Sequence, residues 1–453
     1  MRIIIAGTGM VGSTFAEQLS LEKKYDLVLI DNDGEVLEEV IDRLDVMAVK
    51  GNSASVEVLK QAGVNQAKIL IAATDSDEVN LLCCMTAHAL NPSLHTIARI
   101  RNPEYADQVY SMREIFGISM LFNPEKQAAE EIERLLRYPA LLKRDSFVNG
   151  KLEIVELKVV KGSPLCSVSL SHLNMIVKCR VLVCAIVRDG ACFVPGGNFV
   201  IKEGDKLFVT APANTLSVLI RNLGISKHRS RRVTIVGGST VAYYLADLLT
   251  KDNVEVQIIE RDEERAAEMA ELLPKAVVLC GDALERSLLE RAGIKDADAL
   301  ISLTKEDEVN MVLSLYGNSF SVPQIITKLD RVEDHKIIDS IPMGTVVYPR
   351  KLCSSNIVRY VRALYNQTGA ATAIHTIADD QAEAIEFVVD STTQNRGIPL
   401  KNIKIKENVL ICAIGRGARI EIPNGDSSFE EGDTVVIVSV RDEVIMSLND
   451  IFH

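Results

Sequence analysis

Short apolar runs alternate with stretches of helical periodicity over residues 1–123. The apolar runs predict strands near 2–6, 26–30, 46–49, 68–72, 95–100 and 118–121. All but the last of these strands are separated by helical patterns, such as those at 11–22 and 77–90. Short, continuously apolar strands with helices between them are typical of a parallel sheet that is covered on both faces.

The pattern changes after a predicted helix that begins at Pro124, a residue favoured at helix N-termini. The runs LEIVELKV, VLVCAIVRDG and KLFVTA are rich in β-forming residues and are divided by turn residues. One helical pattern covers 215–223. This part of the sequence predicts a small α+β domain.

Both patterns occur twice, because the sequence contains an internal duplication. Gly7 and Gly237 correspond at an offset of 230 residues. The segments 74–80 and 304–310 keep the same offset and share five of their seven residues. The GSPL segment at 162–165 resembles the GIPL segment at 397–400, and the triplet EGD occurs at 203–205 and 431–433. A constant register of this length indicates two copies of a two-domain unit.

The fold class that follows is α/β, with two Rossmann-like parallel-sheet domains, each followed by a small α+β domain. The expected boundaries are 1–123 and 232–348 for the sheet domains, 145–225 and 369–453 for the small domains, 124–144 and 349–368 for crossover helices with their linkers, and 226–231 for a basic linker. Both crossover helices lead out of a sheet domain, and we expect them to pack across a partner.

The first sheet domain opens with a full G-x-G-x-x-G turn between a strand and a helix. Gly7 permits the tight turn, Gly9 lets backbone N–H groups approach a pyrophosphate, and Gly12 allows the helix to pack closely on the strand. The helix N-terminus favours phosphate. Asp31 follows at the end of the second predicted strand, where a carboxylate accepts from both ribose hydroxyls and repels a 2′-phosphate. This pattern favours NAD(H) or another adenosine nucleotide over NADP.

The second copy departs from this pattern. Gly237 and Gly238 are followed by Ser239 at the position of Gly9, and Glu260 replaces Asp31. Ser239 adds a side chain next to the phosphates, so the sequence leaves open whether this copy binds a nucleotide.

Further candidates follow later strands of the sheet, whose carboxyl ends hold the ligand in open α/β folds. Ala73 and Thr74 are expected in the adenosine pocket, and Arg99 or its counterpart Lys328 is positioned to meet a phosphate. We interpret the acids at 75, 77 and 78 as favourable charges at a helix N-terminus rather than as a cation site.

Composition and charge argue against several classes of function. The net charge of −12 argues against broad nucleic-acid binding and against a basic grip on lipid. The nine cysteines form no C-x-x-C pair, and neither a secretory leader nor an uncharged membrane-length apolar run is expected. Seven histidines are scattered, and none of those in the first sheet domain recurs in the second. No catalytic set or metal-ligand spacing is recognised, so we expect a sensor rather than an enzyme.

The sequence resembles the RCK (regulator of potassium conductance, or KTN) family, in particular the peripheral NAD-binding regulatory subunits of Trk-type bacterial potassium uptake. The resemblance covers the whole chain as RCK_N, RCK_C, RCK_N and RCK_C. It rests on the turn 7–12, Asp31, the turn 51–53, the segments 74–80 and 98–101, and the stretch from Gly196 to Asp205.

The resemblance implies that Gly7, Thr8, Gly9, Met10 and Val11 bind the nucleotide, that Asp31 holds its ribose, and that Ala73, Thr74 and Arg99 complete the pocket. It implies NAD(H) or ATP/ADP as a regulatory ligand, a homotetramer, and a cytoplasmic location on the membrane face beneath a potassium-translocating subunit. Related RCK_C domains bind small regulators, including cyclic di-AMP, to which no residue here is assigned. The alternatives are a regulator of another cation transporter or antiporter, an NAD-dependent oxidoreductase, and a scaffold without ligand.

Overall fold

The computed structural model describes residues 1–20, 25–113, 115–137, 141–148, 151–159, 162–223, 230–331, 341–365, 373–378, 381–417, 419–440, 445 and 447–453. The described chain forms two compact units. One comprises Met1–Leu136 with Arg229–Val358, and the other comprises Arg137–His228 with Arg359–His453. The first unit contains both sheet domains and the second contains both small domains. Most of the expected basic linker, at 226–229, lies outside the described residues, as do 138–140 and 366–368 of the crossover linkers.

The first sheet domain is a six-stranded parallel sheet flanked by helices. Its strands are β1 Arg2–Ala6, β2 Asp26–Asp31, β3 Met47–Lys50, β4 Ala67–Ala72, β5 His95–Arg99 and β6 Met120–Phe122. Its helices are α1 Met10–Ser20, α2 Gly34–Ile41, α3 Val56–Gln61, α4 Asp77–Leu90, α5 Pro103–Met112 and the crossover helix α6 Pro124–Arg137. The strand order is β3-β2-β1-β4-β5-β6. The order reverses between β1 and β4, where doubly wound sheets bind their ligands.

The first small domain contains β7 Leu141–Phe147, β8 Leu152–Lys158, α7 Leu170–Val177, β9 Leu182–Arg188, β10 Ala191–Phe193, β11 Lys206–Pro212 and α8 Ala213–Asn222. The strands form an antiparallel sheet in the order β10-β9-β11-β8-β7. Helix α7 was not predicted, whereas α8 corresponds to the single helical pattern near 215–223.

The second sheet domain repeats the first. Its strands are β12 Arg232–Val236, β13 Glu255–Glu260, β14 Val277–Cys280, β15 Ala299–Ser302, β16 Gln324–Lys328 and β17 Thr345–Val347. Its helices are α9 Thr240–Lys251, α10 Glu263–Leu272, α11 Arg286–Arg291, α12 Asp307–Ser319 and the crossover helix α13 Pro349–Tyr365. The strand order β14-β13-β12-β15-β16-β17 is that of the first sheet.

The second small domain contains β18 Ala373–Ile377, β19 Ala382–Val388, β20 Val409–Arg416, β21 Arg419–Glu421 and β22 Thr434–Val440, with short 3-10 turns at Leu400–Asn402 and Leu448–Ile451. Its strand order β18-β19-β22-β20-β21 repeats that of the first small domain. Two Rossmann-like parallel sheets, each followed by a small antiparallel domain, confirm the predicted fold class.

The crossover helix α6 joins the two sheet domains within their unit. Its apolar face buries Ile132, Leu135 and Leu136 in one core with Leu245 and Ile301 of the second sheet domain. Each large side chain buried in this way contributes roughly 1.5–3 kcal/mol. The partner across which α6 packs is therefore the other half of the same chain.

The EGD triplets hold a repeated ion pair in the small domains. Asp205 is fully buried and accepts from Arg188 Nε at 2.8 Å and Nη2 at 2.7 Å, and from the amide of Lys202 at 2.7 Å. Burial opposes ionisation of Asp205, but the Arg188 and Lys202 hydrogen bonds outweigh it and hold the pKa of this carboxyl below its usual value. Arg416 and Asp433 repeat the pair in the second copy.

Candidate functional site

The three glycines of the turn after β1 differ in the space that surrounds them. Gly7 has a φ of +90°, and a Cβ there would lie 2.7 Å from the Thr74 amide nitrogen. A Cβ on Gly12 would lie 1.8 Å from the carbonyl oxygen of Gly7. In contrast, a Cβ on Gly9 would meet no atom within 4 Å. Gly7 and Gly12 therefore shape the turn, and Gly9 faces open space.

Helix α1 begins at Met10, directly after this open position. The first amides of a helix have no partner within the helix. Gly9 precedes them and has no side chain to cap them. The amides of α1 are thus available to an anion at the end of β1, where the helix dipole adds partial positive charge.

Asp31 lies at the end of β2, beside the turn. Its Oδ2 accepts from the Thr8 amide at 2.6 Å and from Thr8 Oγ1 at 2.8 Å, and its Oδ1 accepts from the Asp33 amide at 3.0 Å. Partial burial opposes ionisation, but these hydrogen bonds outweigh it and lower the pKa of Asp31. At neutral pH Asp31 is an oriented carboxylate, which is the form that accepts hydrogen bonds from hydroxyl groups.

A buried asparagine fixes the opposite wall. Asn80 Oδ1 accepts from the Thr74 amide at 2.8 Å and from Thr74 Oγ1 at 2.7 Å. Its Nδ2 donates to the carbonyl of Thr74 at 3.2 Å and to that of Arg99 at 3.0 Å. One side chain therefore sets the spacing between the ends of β4 and β5. Asn310 makes the same four contacts to Thr304 and Lys328 in the second copy.

Arg99 is held between two acids. Its Nη2 donates to Glu125 Oε1 at 2.8 Å, and its Nη1 lies 3.7 Å from Asp75 Oδ1. Arg99 Nε and Glu125 Oε2 are buried and have no hydrogen-bond partner. A buried donor and a buried acceptor that lack partners are groups that a polar ligand is able to satisfy.

The acids at the start of α4 have separate roles. Asp77 is buried and accepts from the amides of Arg101 and Asn102, both at 2.8 Å, so it anchors the loop after β5. Glu78 is exposed and accepts from Ser76 Oγ, whose hydrogen bond lowers the pKa of Glu78. Asp75 pairs with the arginines at 99 and 101.

A cavity of about 810 Å³ lies in front of the first turn. Nine of the predicted residues line it: Gly7, Gly9, Met10, Val11, Asp31, Ala73, Thr74, Arg99 and Lys328. The cavity is composite, because the second sheet domain contributes Val241, Lys328, Asp330, Pro349 and Arg350 to its walls. Its volume is in the range of small-molecule sites.

Two cations from the second sheet domain reach this cavity. Lys328 Nζ lies 2.5 Å from Asp330 Oδ2, and both residues line the wall. The guanidinium of Arg350, in the first turn of α13, contacts Met10 Sδ at the start of α1. The sequence pattern predicted Lys328 as part of the second copy and indicated no role for Arg350 or Glu125. In the sequence, Glu125 and Arg350 are distinguished only by position, since each is the second residue of its crossover helix.

The remaining predicted residues lie elsewhere. Thr8 and Gly12 form the turn behind the cavity wall. Gly237, Gly238, Ser239 and Glu260 form the corresponding turn of the second copy, where Gly238 donates its amide to Glu260 and Ser239 Oγ accepts from the Ala242 amide at 3.3 Å. Binding of a nucleotide by any of these residues stays a prediction.

Two general findings concern the part of the chain that the structure describes. No group of three or more histidine, cysteine, aspartate or glutamate side chains there is arranged to hold a metal ion. No described helix combines the length and the apolar character needed to span a bilayer.

The fold and the cavity define a class of protein in which two Rossmann-type domains, each followed along the sequence by a small α+β domain, share a ligand-sized cavity at the first glycine turn. Residues 3–124 and 233–349 match the model of the TrkA-N domain, and residues 154–224 and 384–452 match that of the TrkA-C domain. The chain belongs to the TrkA family.

Relatives over the full length support this assignment. The chain is 31% identical over 447 residues to the "Trk system potassium uptake protein TrkA homolog 1" of Methanosarcina mazei, covering 97% of each chain. It is 30% identical over 458 residues to the "Trk system potassium uptake protein TrkA" of Halomonas elongata, covering 100% of this chain and 99% of that protein. Among solved structures, the GsuK channel bound to NAD matches 97% of this chain and 77% of its own with a TM-score of 0.65 at 18% identity, which shows a shared fold.

Proposed function

We propose that this chain is a nucleotide-sensing regulatory subunit of a Trk-type potassium-uptake system. The observation that carries the proposal is the composite cavity at the first glycine turn, bounded by the ionised Asp31 and walled by both sheet domains. The full-length relatives are named as Trk system potassium uptake proteins, and the GsuK channel is a structural neighbour that binds NAD.

The residues present fit NAD(H) or an adenine nucleotide. The open space at Gly9 and the uncapped amides of α1 suit a pyrophosphate. Asp31 accepts from the ribose hydroxyls and disfavours a 2′-phosphate. Ala73 and Thr74 line the adenosine side, and Arg99 offers a buried donor to a phosphate or hydroxyl group. The bound nucleotide supplies charge and shape to the cavity rather than a reaction.

The composite wall of the cavity couples nucleotide binding to the arrangement of the two sheet domains. A ligand that contacts α1 of the first domain and Lys328 or Arg350 of the second has an affinity that depends on how the two domains are arranged. Such a ligand favours the arrangement that it binds more tightly, and coupling of 1–3 kcal/mol is typical, or about 5–150-fold. Nucleotides that differ in their phosphates or in their nicotinamide then favour different states.

The partner in this proposal is a membrane subunit that translocates potassium. The chain acts as a homotetramer on the cytoplasmic face of the membrane, where its arrangement is transmitted to the pore. In this proposal the chain acts as a sensor, without catalysis.

Isothermal titration calorimetry of the full chain with NADH, NAD, ATP and ADP tests the proposal, with Asp31→Ala measured in parallel. We expect saturable binding of at least one nucleotide and its loss in Asp31→Ala. Absence of heat with all four nucleotides would reject the sensor. Steady oxidation of NADH in the presence of a small carbonyl substrate would instead favour an oxidoreductase.

A further inference from the structure

The second glycine turn differs from the first in the side chains that surround it. Because the sequence is duplicated, equivalent residues of the two turns can be compared directly. Helices α2 and α10 both start after an aspartate whose side chain caps the helix, Asp33 in the first copy and Asp262 in the second. The third residue after the cap is Val36 in α2 and Arg265 in α10. Val36 lines the cavity of the first copy. The second copy therefore has an arginine where the first copy has a valine that lines the cavity.

The side chain of Arg265 lies across the second turn. Its Nε donates to the carbonyl of Gly238 at 2.6 Å, and its Nη1 donates to Glu268 Oε2 at 2.6 Å. Its Cγ lies 3.2 Å from the position that a Cβ on Gly238 would take. Glu260 accepts from the amide of the same glycine. Both backbone polar groups of Gly238 are thus bound by side chains of the chain itself.

A second side chain uses a helix amide that the first copy leaves available. Ser239 caps α9 by accepting from the amide of Ala242. Its counterpart, Gly9, has no side chain and faces open space. Ser239 therefore both adds atoms in front of the helix and takes one of the N–H groups that a phosphate would need.

We propose that Arg265 and Ser239 close the second turn, so that each chain binds one nucleotide, at the first copy only. This inference rests on the proposed function of the first cavity. The second half then serves the first site as a wall, since Lys328 and Arg350 line the first cavity. A ligand at the second turn must first break the hydrogen bonds of Arg265, which lowers its affinity by about a hundredfold or more.

Equilibrium dialysis of the full-length chain with radiolabelled NAD, and separately with radiolabelled ATP, counts the sites. We expect one nucleotide per wild-type chain. The double variant Ser239→Gly with Arg265→Val, which restores the residues of the first copy, is expected to bind two. Adding Asp31→Asn to that double variant should reduce the number to one at concentrations that fill the wild-type site. The reciprocal variant Val36→Arg is expected to bind none.

The outcomes separate this inference from the proposed function. Two nucleotides per wild-type chain would overturn the closed second turn and leave the sensor intact. A single nucleotide bound by the correctly folded double variant would also overturn it, because the two side chains would then not be the barrier. No binding of either nucleotide by the wild-type chain would overturn the proposed function itself. Circular dichroism melting of each variant verifies folding, and the wild-type count needs no variant.

Discussion

Replacing Asp31 by asparagine tests the chemistry of the first turn while keeping its shape. Oδ2 of Asp31 accepts from both the amide and the hydroxyl of Thr8, and Oδ1 accepts from the Asp33 amide. An amide keeps one acceptor oxygen and replaces the other by an NH₂ group, which donates only. Whichever way the amide is turned, an N–H group of the asparagine faces a backbone N–H.

The expected loss follows from these contacts. Hydrogen bonds to a charged group contribute about 1.5–3 kcal/mol, and the variant weakens both the hold on the turn and the bond to a ribose hydroxyl. A loss of about 2–3 kcal/mol in binding free energy corresponds to roughly 30–150-fold weaker nucleotide affinity. Because the pKa of Asp31 lies below its usual value, the wild-type contribution is present at neutral pH and is lost only as the pH falls through this lowered pKa.

Calorimetric titration of both proteins with the same nucleotide at pH 7.5 measures the difference. Glu260→Gln is the matched control, since it makes the equivalent change where Gly238 donates its amide to Glu260 in the second copy. We expect the control to bind with wild-type affinity. Unchanged affinity in Asp31→Asn, or an equal loss in both variants, would refute the reasoning.

Three further predictions concern the surroundings of the site and the small domains. Asn80→Ala and Asn310→Ala each leave buried backbone groups without partners, so thermal melts should show a similar loss of about 2–4 kcal/mol in the free energy of unfolding. Asn80→Ala should weaken nucleotide binding more than Asn310→Ala does, because Asn310 reaches the first cavity only through the backbone of Lys328. Gly12→Ala places a Cβ 1.8 Å from the carbonyl of the first glycine of the turn and should reduce affinity more than tenfold in the same titration. Asp205→Asn should lower the free energy of unfolding by about 2 kcal/mol at pH 7, which corresponds to roughly 4–8 °C in melting temperature. The same substitution should have little effect at pH 2.

The sign of the last effect follows from the lowered pKa of Asp205, since stability from its bond to Arg188 is present above about pH 4 and is lost as the pH falls through the folded-state value. Equal destabilisation at pH 2 and pH 7 would contradict the ion-pair explanation. Equal effects of Asn80→Ala and Asn310→Ala on nucleotide binding would contradict a site at the first copy. Wild-type affinity in Gly12→Ala would show that the turn tolerates a side chain there.

The sequence was most informative where local pattern determines structure. The apolar runs predicted β1 to within a residue because a buried parallel strand has few polar positions, and the duplication identified the repeated domains before any contact was known. Helix α7 was missed, because its eight residues are too few for helical periodicity to stand out between turn residues.

Contacts between distant segments could not be predicted in the same way. Arg99 was expected to meet a phosphate, but its pairing with Glu125 depends on where α6 begins relative to β5. Lys328 and Arg350 reach the first cavity only because the two sheet domains pack together. Arg265 follows from the alignment of the two copies, but its bond to Gly238 depends on a rotamer that the sequence does not specify.

Potassium flux through the reconstituted complex tests the central claim most directly. The chain is combined with its Trk-type membrane subunit in liposomes, and ⁸⁶Rb⁺ uptake is measured with NADH, NAD, ATP, ADP or no nucleotide, for wild type and for Asp31→Asn. We predict that uptake by the wild-type complex depends on which nucleotide is present, and that the variant requires roughly 30–150-fold more of it for the same response. Uptake that is identical under all five conditions would contradict the proposal that this chain senses a nucleotide for a potassium pore.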